Sequence, residues 1–162
     1  MAEVAGVSVG SLYQYFSNKA ALVTALIDRA QSGLAEAFEA LVHRIHGQQR
    51  HTLVESLHAV AQMAIAKQYA NPVLASALDH EEARLPVQKQ LLAAQKRLVA
   101  SATQLFAHHQ AELAPALPAS NARDCFAITE APVEMESSVL KKPPADLEAR
   151  IVRALRGNLT KP

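Results

Sequence analysis

The chain has 162 residues, half of them apolar, enough to bury a sizeable core in one compact domain or in a small head joined to a larger body. Its formal charge is only +1, so contact with a polyanion has to come from a local patch and not from the overall balance. The single cysteine, Cys125, excludes an internal disulfide framework and a multi-cysteine metal site and fits a reducing cytoplasm. No apolar run reaches the length of a membrane span, and the opening MAEVAG lacks the basic and apolar regions of a secretory leader.

Ala and Leu dominate and aromatics are scarce, which favours helices over sheets. Residues 1–5 read as the tail of a helix that Gly6 ends. Val7 plugs the turn, and Ser8 caps a helix predicted over 8–16. Ser17 and Asn18 break it and cap a long helix from Lys19, in which Leu22, Leu26, Ile27, Leu34, Phe38, Leu41, Val42 and Ile45 keep the helical period until Gly47. The spacing then predicts a helix over 52–69, a turn at Asn71-Pro72, and a short helix over 72–79. A charged linker, HEEARLP, leads to a helix over 87–113. A loop at 114–121 precedes a helical stretch over 122–138 that Pro132 is expected to kink or split. Lys141 to Pro144 form a turn before a last helix over 145–159. No segment alternates like a strand. The fold class is all-α: a partial helix-turn-helix head over 1–19 and a helical-bundle body over 20–162.

The chemistry-bearing segment is AGVSVGSLYQYFSNK, residues 5–19. Two short helices joined by a glycine-containing turn present the second of them to a DNA major groove. Gly10 and Ser11 are small and lie near that helix's N-terminus, where free N–H groups favour a phosphate. Leu12 and Phe16, four apart, point back into the head. The hydroxyls of Tyr13 and Tyr15 reach toward phosphate oxygens, Lys19 adds a cation, and Gln14 can bond a base edge. Without the surrounding order, Tyr13 and Tyr15 would read only as core or surface aromatics of a bundle.

Ala5, Gly6, Val7, Ser8, Gly10, Leu12, Tyr13, Tyr15, Phe16 and Lys19 follow the order of the TetR family of helix-turn-helix regulators, which the segment resembles. The resemblance implies phosphate contacts from Ser8, Ser11, Tyr13, Tyr15 and Lys19 and base contacts from Val9, Gly10 and Gln14. It also implies a departure. MAEVAG supplies only the end of the head's second helix and nothing matches the first. The head is then expected to be incomplete at its N-terminus, through a misassigned start or a true truncation. In the truncated case specific DNA binding is expected to weaken, leaving a helical dimerisation or small-molecule-binding protein as the alternative.

The resemblance further implies a cytoplasmic homodimer that acts on double-stranded operator DNA as a repressor and is released when a small hydrophobic effector binds the body. The effector pocket is expected among the helices over 52–70, 72–79 and 87–113, with Met63, Tyr69, Leu78, Leu92, Val99 and Phe106 as its lining; each also reads as plain core. The last two helices are expected to carry the dimer face, through Cys125, Phe126, Ile128 and Thr129 on one and Leu147, Ile151, Val152 and Leu155 on the other; an intrachain core stripe is the plainer reading, and both can hold at once. Seven histidines include His43 and His46, three apart, but no spacing is diagnostic of a metal site. Glu81 and Glu82 read as a charged linker, and Ser8 and Ser11 have no neighbouring His or Asp to activate them. No residue pattern calls for a catalytic centre or a cofactor.

Overall fold

A computed structural model describes residues 15–48, 51–82, 84–114 and 120–160. Among them lie six helices and no strand: α1 (Lys19–His46), α2 (Leu53–Ala70), α3 (Pro72–Glu82), α4 (Gln88–His108), α5 (Ser120–Val139) and α6 (Leu147–Leu159). The all-α architecture expected of the sequence is present. No described helix is long and apolar enough to cross a membrane.

The helix starts are written locally. The Asn18 side chain accepts the Ala21 N–H at 2.8 Å and opens α1. Thr52 and Glu55 form a reciprocal capping box on α2, and the bonds from Thr52 hold the Glu55 carboxyl below its usual range. The Asn71 side chain accepts from Leu74 N at the start of α3. At the far end of α1, His43, Arg44 and His46 place basic side chains in the last turn, where the helix dipole favours them.

Two core clusters hold the bundle together. In the first, Ala35, Phe38, Leu41, Val42 and Ile45 of α1 pack on Leu98, Ala102 and Leu105 of α4 and Ala122 of α5. Glu39 and Arg97 bridge the same two helices with a bidentate pair at 2.8 and 2.7 Å, and that pair lowers the Glu39 pKa. In the second, Leu53, Leu57 and Ala61 of α2 and Val133 of α5 meet Leu147, Ile151, Val152, Leu155 and Leu159 of α6. The buried positions of α6, Leu147, Ile151, Val152, Leu155 and Leu159, follow the three- and four-residue steps of one helix face, so that face enters the core while Arg150, Arg153, Ala154 and Gly157 face out. The burial of α1 is uneven: Ile27 is its one buried residue before Ala35.

Beyond shifts of one or two residues at helix ends, three features differ from the sequence expectation. Helix α3 continues to Glu82 because Glu81 and Glu82 are good helix formers, and Gln31 of α1 donates to the Glu82 carboxylate at 2.8 Å. Leu85, which precedes Pro86, disfavours further helix. Helix α4 stops at His108, short of 113, because the next residues turn back to bond α2. Pro132 does not split α5, which runs unbroken from Ser120 to Val139 although Ile128 loses the proline as a donor.

Candidate functional site

Between α1, α2, α4 and α5 lies an open cleft of about 510 Å³. Its apolar surface comes from Leu34, Leu91, Leu98, Phe126 and Val133, and its polar surface from Gln31, Gln68, Gln88, Gln95, Arg123 and four further charged residues, Lys67, Glu82, Glu130 and Glu134. Helical spacing explains the lining. Gln88, Leu91, Leu92, Gln95 and Leu98 recur at three- and four-residue steps on α4, as do Arg123, Phe126, Glu130, Val133 and Glu134 on α5. The Gln31–Glu82 bond ties α1 to α3 across one margin of the cleft. The volume suits a small-molecule site, and the mixture of apolar wall and polar rim suits an amphipathic ligand.

Of the six residues expected to line a pocket, Leu92 does so, and it is exposed on the cleft wall. Phe106 lines a separate apolar void of about 30 Å³ beside the edge-to-face pair Phe38–Phe126. Met63 and Val99 pack on the first core and Tyr69 on the second. The Tyr69 hydroxyl is buried with no hydrogen-bond partner among the described residues, and burial, with the charge of Glu136, raises its pKa. Leu78 is half-buried on α3 and lines neither cavity. The walls contributed by α1 and α5 were not anticipated. The alternation of Phe126 and Val133 with Arg123, Glu130 and Glu134 on one face of α5 was their available signal.

The helical stripes expected at a dimer face turn into the chain's own interior. Leu147, Ile151, Val152 and Leu155 are buried in the second core, Cys125 and Ile128 pack against it, Phe126 packs on the first, and Thr129 is buried. The outer face of α5 is instead Ala127, Ala131, Met135 and Val139, at four-residue steps, with Met135 69% and Val139 79% exposed. Burial, and secondarily Asp124, pushes the Cys125 thiol up to about 12, so it is protonated at neutral pH.

Ser8, Val9, Gly10, Ser11, Tyr13 and Gln14 lie outside the described residues. Tyr15 has helical backbone and is 82% exposed, and Lys19 is exposed at the first position of α1. Both are therefore accessible at the N-terminal edge of the described residues.

At the opposite end of α1 lies a polar cluster. Ser56 Oγ and His109 Nε2 are 2.8 Å apart, and His109 Nδ1 and Glu112 Oε1 are 3.0 Å apart. A carboxylate only accepts, so Nδ1 carries the proton and Ser56 donates its hydroxyl hydrogen to Nε2. Both Glu112 oxygens also accept from Leu53 N, at 3.0 and 3.2 Å. This order of groups resembles a nucleophile with its base and orienting acid, but Ser56 has no exposed surface with which to meet a substrate. Its structural effect is to clasp the end of α4 to the start of α2. The His108 ring stacks edge-on with those of His46 and His109. Among the described residues no three His, Cys, Asp or Glu side chains are placed to hold one metal ion.

Residues 1–26 match the family model described as bacterial regulatory proteins, tetR family. The match spans the predicted recognition segment and the first turns of α1. No curated protein and no solved structure matches the chain.

Proposed function

We propose that this chain, which belongs by its residues 1–26 to the TetR family of bacterial regulatory proteins, is a cytoplasmic transcriptional repressor whose grip on operator DNA is released by a small amphipathic effector. Membership itself makes it a member of a family of DNA-binding transcriptional regulators. The observation that carries the finer reading is the cleft of about 510 Å³, because one of its walls is α1, the helix that continues directly from the matched segment. An occupant pressing on Gln31 and Leu34 bears on the same rigid element that ends at Lys19. A ligand that prefers one position of α1 therefore shifts the population of head positions.

In this reading residues 1–19 form the DNA-contacting part and residues 20–162 the effector-binding and dimerising part. Ser8, Ser11, Tyr13, Tyr15 and Lys19 hold phosphates, and Val9, Gly10 and Gln14 face bases. Two copies associate through the outer faces of α5 and α6, where Ala127, Ala131, Met135 and Val139 offer apolar and small side chains beside Ala154 and Gly157. A two-fold pairing of these helices presents two heads to successive major-groove faces.

Selection from a random duplex library by the purified chain tests the reading. Enrichment of an inverted repeat, with affinity that falls steeply as salt rises and a salt slope reduced by about one in Lys19→Ala, is the expected result. Absence of any enriched sequence refutes it.

A further inference from the structure

The charged groups that line the cleft are not alike. Glu82 accepts from Gln31 at 2.8 Å, and Lys67, Glu130 and Glu134 each engage another group already. Arg123, exposed in the first turn of α5, forms no hydrogen bond or ion pair with any described residue. Leu98 of α4 and Ala122 of α5 share a core, so the later part of α4 sits beside the start of α5. Leu98, and Gln95 one turn before it, therefore line the cleft at the Arg123 end. Gln95 is exposed there and brings a further N–H donor. From that end an apolar strip runs through Phe126 and Val133 on α5 and Leu98 and Leu91 on α4. Val133 lies ten positions beyond Arg123, about 15 Å along the helix.

An occupant that fills the cleft covers the Arg123 guanidinium and takes water from it. A neutral or cationic end would leave that charge without a partner. A carboxylate gives it two parallel N–H···O bonds in the geometry of the guanidinium fork. The acidic side chains make no matching demand for a cation, because their own contacts remain when the cleft is filled. Nor do they bar an anion from Arg123: Glu130 is seven positions away, about 10 Å along the axis, which is roughly one Debye length at about 0.1 M salt. We infer that the cleft takes a monoanionic amphiphile, its carboxylate held by Arg123 with Gln95 donating beside it, and its apolar body of about 15 Å laid along the strip from Phe126 and Leu98 to Val133 and Leu91. This rests on the reading of the cleft as the effector site and names the chemical class of the effector.

Calorimetric titration of the purified chain with decanoate, decanol and decylammonium, each below its micellar concentration and near neutral pH, tests the inference, since the three share one apolar body and differ in the charge of one end. The expected result is binding of decanoate at least about tenfold tighter than of either other probe, about 1.4 kcal/mol. Arg123→Gln should bring decanoate to the level of decanol and leave decanol unchanged. Lys67→Gln, which removes the other cation of the lining, should leave the advantage of decanoate in place. Both substituted side chains are exposed, and an unchanged circular dichroism spectrum confirms that the variants fold. Equal affinity for the three probes, or an advantage of decanoate that survives in Arg123→Gln, overturns the inference while leaving the cleft as a ligand site. Failure of all three probes to bind overturns the cleft as the effector site as well.

Discussion

Removing the hydroxyl of Ser56 should destabilise the bundle far more than the loss of one oxygen atom suggests. Ser56 is 0% exposed and His109 3%, so no water can replace the hydroxyl at Nε2 without rearrangement. Ser56→Ala therefore leaves a buried ring nitrogen without its donor, at a cost of about 1–3 kcal/mol. For a chain of this size that lowers the melting temperature by about 3–10 °C. Urea unfolding followed by circular dichroism, at fixed protein concentration and neutral pH, measures the difference. A second variant separates the clasp from simple packing. In Ser56→Ala with His109→Leu both polar partners are replaced, and the double variant should be less destabilised than the sum of the two single ones. A cost below about 0.5 kcal/mol for Ser56→Ala, or strict additivity, would refute the assignment of these residues as a coupled buried clasp.

Three further outcomes follow from the same structure. Burial, aided by the neighbouring charges of His108 and His51, lowers the His109 pKa from 6.5 although Glu112 pulls it upward. The unfolded chain then binds the proton more readily, so this group's contribution is full above about 6.5 and is lost as pH falls from there toward the folded value; the urea midpoint should drop on acidification, and less so in His109→Gln. Met135→Glu places a charge on the exposed stripe of α5 and should shift sedimentation from dimer to monomer with helicity unchanged, whereas Ile151→Ala, buried in the core, should cost about 2–5 kcal/mol of folding stability. Cys125, with its thiol near 12, should react with maleimide slowly in the folded chain and rapidly in denaturant; equal rates would contradict its half-buried setting.

The parts of the fold governed by near neighbours were legible in the sequence. Asn18 announces a helix start because a cap acts within three residues, Asn71-Pro72 announces a turn, and the stripe from Leu147 to Leu159 announces an amphipathic helix. The end of α4 was not legible, because it depends on His109 meeting Ser56 and Glu112 meeting Leu53, more than fifty residues away in the chain. Periodicity also identifies which face is buried without saying against what. Leu147, Ile151 and Leu155 satisfy an intrachain and an interchain stripe equally well, and only the packing of α2 against α6 separates the two. The cleft was hidden for a related reason: Phe126 carries the pattern of a core residue, and nothing local reveals that Leu34 of α1 and Leu91 of α4 line the same cavity.

The uneven burial of α1 makes it a lever. From Phe38, near the start of the buried run from Ala35 to Ile45, Gln31 lies about 10 Å and Lys19 about 28 Å along the axis. A tilt of about 5° around Phe38 moves Gln31 by less than about 1 Å but Lys19 by about 2.5 Å, nearly threefold more. In the proposed two-fold pair both heads swing together, changing their separation by up to about 5 Å against a half-site repeat of about 34 Å. A displacement of that size exceeds the reach of a hydrogen bond to a base edge, so under the proposed function a ligand that shifts the cleft wall by no more than ordinary side-chain repacking would be enough to break the register of the heads on DNA.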